Sequence, residues 1–346
     1  MNPYAKLITS TSLILGTTIT ASSNHWAMAW TGLEINTLAI IPMISKSHHP
    51  RAIEAAIKYF LIQAAASATM LFSSMINAWQ TGQWDITQLT YSTSCLLLTT
   101  AIAMKLGLVP FHFWFPEVLQ GSSLITALLL STAMKFPPII ILLLTSNSLN
   151  PTLLTLMAIF SAALGGWMGL NQTQIRKILA FSSISHLGWM TIIIIYNPKL
   201  TVLTFLLYTL MTSSIFLSLN TTNTTKLSTL MMSWTKTPLL NTTLMLTLLS
   251  LAGLPPFIGF LPKWLIIQEL TKQEMTPAAL TIALLSVLSL FFYLRLTYFT
   301  SITLPPNPTN HTKHWYHNKS TNTLIATLTS LSILLLPLSP LILTTI

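Results

Sequence analysis

Glu34, Lys105, Lys135 and Lys263 each lie well inside a long apolar run, where charges are rare. A charge at the centre of a bilayer costs about 2.5–3.5 kcal/mol on insertion scales. Four unpaired ones would cost on the order of 10–14 kcal/mol, comparable with the whole stability of a domain. Such groups must pair, give up their charge or meet internal water. An amine taken out of water loses much of its preference for the charged form. A lysine poised between its two forms can carry a proton. Histidine changes charge near neutral pH; His186 is central in another run, and His112 lies in the run that holds Lys105. A lone intramembrane histidine is as often a hydrogen-bonded structural group, and a single lysine or glutamate can serve as an internal helix-holding pair. Three lysines, one glutamate and two histidines are too many for one such pair. The chemistry they fit is ion movement along a polar axis. Lys58, about seven residues inside its helix, can instead snorkel to the surface.

A repeat frames two of these charges. Residues 107–117 read G-L-V-P-F-H-F-W-F-P-E, and 146 positions later residues 253–263 read G-L-P-P-F-I-G-F-L-P-K. Proline inside a helix removes a hydrogen bond and clashes with the carbonyl four residues back. Gly107 with Pro110, and Gly253 with Pro255 and Pro256, are therefore expected to break their helices. Freed backbone groups at membrane depth are tolerated only beside protein or water. Paired broken helices in two halves are the sign of a repeat-built transporter with midplane sites.

The elements that position these residues must be membrane helices. Of 346 residues, 52% are hydrophobic and only 6% charged (16 Lys+Arg, 6 Asp+Glu), against about 25% charged in a soluble domain. Mean hydropathy is +0.68. Soluble enzymes, disordered tails and nucleic-acid binders are excluded, and the net charge of +10 is scattered singly instead of forming a stripe. A spanning helix needs about 20 apolar residues. Runs at 3–21, 25–44, 52–78, 92–119, 122–145, 151–170, 175–196, 199–220, 238–271, 276–300 and 323–344 predict eleven. Residues 1–24 carry one positive charge, Lys6, so the run from Leu7 to Thr20 is expected to be the first span and no cleaved leader. Threonine is abundant in these runs, and its hydroxyl can return to the i−4 carbonyl. Loops on the N-terminal face hold nine basic residues against two opposite (Lys199 and Lys272). The N-terminus should therefore face the negative compartment and the C-terminus the other. The expected fold is an all-α polytopic membrane protein of about eleven transmembrane helices. It is divided into a five-helix repeat unit at 1–145, a second at 146–300, read as inverted, and a basic loop with a C-terminal helix at 301–346. Arg295, near the end of an aromatic-rich helix, reads as an interface anchor.

The stretches M-K-L-G-L-V-P-F-H-F-W-F-P-E-V (104–118), Q-I-R-K-I-L-A-F-S-S-I-S-H-L-G-W-M (174–190) and L-S-L-A-G-L-P-P-F-I-G-F-L-P-K-W (249–264) resemble the antiporter-like subunits of respiratory complex I. The N-terminus, length and Thr-rich composition resemble the vertebrate mitochondrial members. The resemblance covers nearly the whole chain. It implies that Glu34 stands at the place of the glutamate partnered with Lys105, that Lys135 is a connecting lysine, and that Lys263 is terminal on the proton-exit side. It also implies that His186 lies on the central axis, which His112 extends. The family's usual core is longer, and this chain is expected to lack its first three helices, which leaves both five-helix units intact. Some relatives place glutamate at the position of Lys263.

The resemblance further implies proton translocation across the mitochondrial inner membrane, with the N-terminus in the matrix and the C-terminus in the intermembrane space. It implies no cofactor in this chain: NADH, FMN, iron–sulfur clusters and ubiquinone belong to other subunits. Expected partners are other core membrane subunits, including a second antiporter-like subunit, accessory subunits and cardiolipin on the basic face. Consistent with that division of labour, there is no dinucleotide-binding glycine fingerprint and no cysteine cluster. Cys95 alone reads as a small buried residue. His311, His314 and His317 have ligand-like spacing but fall in a predicted surface loop. One rival is a subunit of a multisubunit cation/proton antiporter, which co-purification with flavin and iron–sulfur subunits would exclude. The other is a structural spacer of the membrane arm, which variants that assemble but do not pump would exclude.

Overall fold

Proline opens and glycine closes many of the helices. In this computed structural model, which describes residues 3–234, 237–301 and 323–340, the chain forms α1 (Pro3–Ser22), α2 (Trp26–Ile44), α3 (Pro50–Thr81), α4 (Ser92–Leu106), α5 (Trp114–Gly121), α6 (Leu124–Ser131), α7 (Phe136–Leu144), α8 (Pro151–Gly169), α9 (Ile175–Ile193), α10 (Pro198–Thr222), α11 (Leu227–Ser233), α12 (Pro238–Ala252), α13 (Phe260–Lys272), α14 (Thr276–Ser301) and α15 (Thr323–Leu334). Proline is the first residue of α1, α3, α8, α10 and α12, where its missing N–H costs nothing. No strand forms among the described residues; His25 and Asp85, and Gln174 and Lys226, make isolated bridges. The described residues are all-helical and polytopic: six helical segments among them are long and apolar enough to cross a membrane.

The expected interruptions occur. The first run breaks between α4 and α5, and the second between α12 and α13. The helix ends recur at the same 146-residue spacing as the motif: 92 and 238, 106 and 252, 114 and 260. Gly107 (φ +76°) and Gly253 (φ +81°) close the first halves in the left-handed conformation, which costs glycine nothing and other residues about 1–2 kcal/mol. The run expected as a span at 122–145 forms one segment, Leu124–Leu144, long and apolar enough to cross a membrane. Within it a 3₁₀ turn at Ala133–Lys135 separates α6 from α7, because Pro137 and Pro138 at the start of α7 cannot continue the ladder from α6. Threonine and serine hydroxyls return to their own helices as expected, but mostly to the i−3 carbonyl, as Thr20 does to Thr17 at 2.8 Å. Thr145 uses the i−4 carbonyl of Ile141.

The chain divides into two compact units, Met1–Ser161 and Ala162–Ile346. In the first, α1 and α2 meet where Gly16 faces Gly32, and α3 packs on α2, α4 and α5. A Cβ on Gly16 would come within 2.8 Å of the Gly32 carbonyl oxygen, so small residues set this close approach. In the second, α10 packs on α9, α12 and α15, and α14 packs on α12 and α13.

Candidate functional site

In the first unit, Glu34, Lys105 and Lys135 arrive from three different elements. Glu34 is half-buried on α2. Its Oε2 accepts a hydrogen bond from the Thr37 hydroxyl at 3.2 Å, one helical turn on. Its Oε1 is buried and accepts none among the described residues. Lys105 occupies the last turn of α4, just before the break, and is 6% exposed. Its ammonium makes no hydrogen bond among the described residues. Glu34 is the charged group acting on it, though no ion pair within 4.0 Å joins them. Lys135 ends the 3₁₀ turn and is 3% exposed, with its ammonium 4.4 Å from the centroid of Phe115. Both lysines line one cavity of about 20 Å³ with Asn36, Thr37, Tyr59 and Gln63.

His112 is buried in the first break, its ring 4.2 Å from that of Phe113. It does not line the cavity of the lysines.

In the second unit, His186 sits on α9 with its ring 5.5 Å from Tyr208 of α10. Lys263 lies on α13. Its ammonium donates a 2.8 Å hydrogen bond to the carbonyl of Ala252, the last residue of α12. The lysine therefore holds the carbonyl end of a half-helix, where positive charge is favoured. Beside it runs an open groove of about 510 Å³, lined by Trp189, Phe260, Trp264 and Gln268 among others. His186 does not line this groove, although Trp189, three residues on, does.

The two breaks solve one problem differently. A broken helix leaves carbonyls without partners. In the first, the Trp114 indole donates to the Met104 carbonyl at 3.2 Å. In the second, Lys263 takes that task. Glu117 occupies the position that corresponds to Lys263 in the repeat, yet it turns outward and pairs with Lys58 of α3 at 2.5 Å. Both partners are about half exposed, at 49% for Lys58 and 52% for Glu117. Lys58 thus has a partner instead of snorkelling alone. Arg295 likewise has partners: its guanidinium donates to the Leu170 carbonyl just past α8 and lies 5.6 Å from the Phe299 ring.

Several buried polar residues escaped the sequence reading, which followed charge. Asn36, Tyr59 and Gln63 line the lysine cavity. The Gln63 amide donates to the Lys105 carbonyl at 3.4 Å. Tyr208 and Tyr293 are buried phenols, with Ser183 beside the first and Ser182 beside the second. Their sequence signal is an uncharged polar group in the middle of an apolar helix. Among the described residues no three His, Cys, Asp or Glu side chains gather as metal ligands do. His311, His314 and His317 lie outside the described residues.

Residues 23–289 match the family described as NADH:quinone oxidoreductase/Mrp antiporter, TM, and residues 290–343 match that described as NADH dehydrogenase subunit 2 C-terminus. The chain is 77% identical over 343 residues to NADH-ubiquinone oxidoreductase chain 2 of Struthio camelus, covering 99% of both chains. It is 76% identical over 344 residues to the protein of that name from Gallus gallus, again covering 99% of both. Among solved structures, a chain of respiratory complex I from Thermus thermophilus is similar to it with a TM-score of 0.84 and 26% identity, covering 97% of this chain and 80% of that one.

Proposed function

The chain belongs to the NADH:quinone oxidoreductase/Mrp antiporter transmembrane family, and from that premise we propose that Glu34, Lys105, Lys135, His112, His186 and Lys263 carry protons through it. It serves as a membrane subunit of NADH:ubiquinone oxidoreductase, and translocates protons across the mitochondrial inner membrane as electrons pass from NADH to ubiquinone elsewhere in that complex. Flavin, iron–sulfur clusters and both redox substrates lie with other subunits. Its neighbours are core membrane subunits, among them a second antiporter-like one, accessory subunits and cardiolipin. We read eleven spans in two five-helix units of inverted topology, 1–145 and 146–300, with 301–346 completing the chain, and the recurrence of helix ends at a spacing of 146 supports the repeat. The basic bias of nine against two supports an N-terminus in the matrix and a C-terminus in the intermembrane space.

The observation that carries this reading is the pair of buried lysines at one small cavity, with Glu34 acting on one of them. Closing Glu34 and Lys105 to about 4 Å would be worth about 4 kcal/mol at an effective dielectric of 20. That exceeds the roughly 2.3 kcal/mol needed to move one charge against 100 mV. A change of charge arriving from the quinone end can therefore draw Glu34 toward Lys105, hold its proton there, and release it to Lys135 when Glu34 returns to Thr37. Lys263 is the terminal carrier in this scheme. The test is NADH-driven proton pumping by the assembled complex in vesicles. Lys105→Met and Lys135→Met are expected to lower the protons moved per NADH, and Glu34→Gln to do so by removing the charge that acts on Lys105. A normal ratio in an intact complex would remove that residue from the path.

A second reading applies to Lys263 alone. Its hydrogen bond to the Ala252 carbonyl is also what a purely structural cap of the broken helix would make.

A further inference from the structure

We propose that Asn36 is a positioning residue: it holds a water molecule in the cavity between Lys105 and Lys135, and through that water the two amines exchange a proton. The proposal rests on the reading of the lysines as carriers. Asn36 is 1% exposed, and both its amide nitrogen and its amide oxygen are buried without a hydrogen-bond partner among the described residues. A buried amide without partners is rare in a folded protein. Asn36 and both lysines line the same cavity, whose volume of about 20 Å³ exceeds the roughly 10–15 Å³ that one water needs. A bound water also needs two to four polar partners. Here the Asn36 amide offers two donors and an acceptor oxygen, and the Lys105 ammonium, likewise without a hydrogen bond among the described residues, offers more. Gln63 and Tyr59 are the other long polar residues of a wall that is otherwise mostly apolar, so the polar groups that could hold a water there are few. The amide is also closely packed. It sits so close over Gly16 of α1 that a Cβ there would come 2.4 Å from its oxygen.

The transfer balances without any further reagent. An N–H of the Lys105 ammonium breaks as an O–H forms on the water, while another O–H of that water breaks as an N–H forms on the neutral Lys135 amine. One proton moves, and the water is regenerated. Asparagine suits the holding task because it can donate and accept at once and does not itself take up the proton.

The experiment compares Asn36→Leu, Asn36→Ser and Lys105→Met in the intact complex reconstituted in vesicles, reading protons moved per NADH oxidised. Asn36→Leu keeps the branched shape and removes the polarity. It is expected to lower the ratio as far as Lys105→Met does, and Asn36→Ser, which restores a hydroxyl, to recover at least about half of the difference. A normal ratio in assembled Asn36→Leu, with Lys105→Met defective, would overturn the water link and leave the lysines standing. A normal ratio in Lys105→Met would overturn the reading beneath it. Where Asn36→Leu does not assemble, a map of the unaltered complex at water-resolving resolution decides. Density within hydrogen-bond distance of both Asn36 and Lys105 supports the proposal, and a cavity without it overturns the proposal.

Discussion

The ammonium of Lys263 donates to the carbonyl of Ala252, eleven residues back and on the other side of a helix break. That bond joins α13 to the end of α12 and leaves the amine at the negative end of a half-helix dipole. A hydrogen bond from a charged group contributes roughly 1.5–3 kcal/mol. Lys263→Met should therefore lower both the yield of assembled complex and its pumping. Lys263→Gln keeps a donor and loses the transferable charge. It should assemble nearly as well as the unaltered protein, yet pump as poorly as Lys263→Met. Native-gel yield beside proton-to-NADH ratio separates the two effects, and full pumping by Lys263→Gln would make Lys263 a cap only.

The two left-handed glycines should respond unequally to alanine. Gly107 and Gly253 both have φ near +80°, so alanine costs about 1–2 kcal/mol of backbone strain at either. Around Gly107 the nearest atom to a Cβ would be 3.6 Å away, an ordinary contact, whereas at Gly253 the Cβ would stand 2.9 Å from the Lys263 ammonium. Gly253→Ala should therefore displace that amine from Ala252 and reduce pumping as well as thermal stability. Gly107→Ala should reduce stability alone. Equal pumping in the two variants, after correction for assembly, would contradict this.

The seam between α1 and α2 offers a third test. A Cβ at Gly16 would lie 2.4 Å from the Asn36 side-chain oxygen and 2.8 Å from the Gly32 carbonyl oxygen. Overpacking of this kind typically costs 1–3 kcal/mol. Gly16→Ala is expected to lower the melting temperature of the complex, whereas Leu15→Ala, at a side chain 59% exposed, should change it little. Thermal shift in detergent reads the difference directly.

The helices were legible because their causes are local. Apolar runs of spanning length, prolines at helix starts and the recurring Gly-Leu-x-Pro-Phe frame locate the elements and both breaks, and the glycine that begins each frame is the residue that closes its first half-helix. Even the interruption at Ala133–Lys135 had its local signal in Pro137 and Pro138, although hydropathy alone reads straight through it. Which charges belong to the interior was also legible for Lys105 and Lys135, because lysine in the middle of an apolar run has few alternatives.

The partners were not legible. Corresponding positions of the repeat hold Glu117 and Lys263, yet one turns outward to Lys58, 59 residues away, and the other reaches back to Ala252. Arg295 reads from the sequence as an interface anchor, and its partner, the carbonyl of Leu170, lies 125 residues away. The sequence by itself determined an all-helical membrane protein, its breaks and its stock of intramembrane charges, since length, hydropathy and proline act along the chain. Only the tertiary structure decided that Asn36, Lys105 and Lys135 share one cavity, and that Glu34 is held by Thr37 and not paired with Lys105. A hydrogen bond depends on ångström-scale distances that are set by how residues far apart in sequence pack, and no local pattern encodes them.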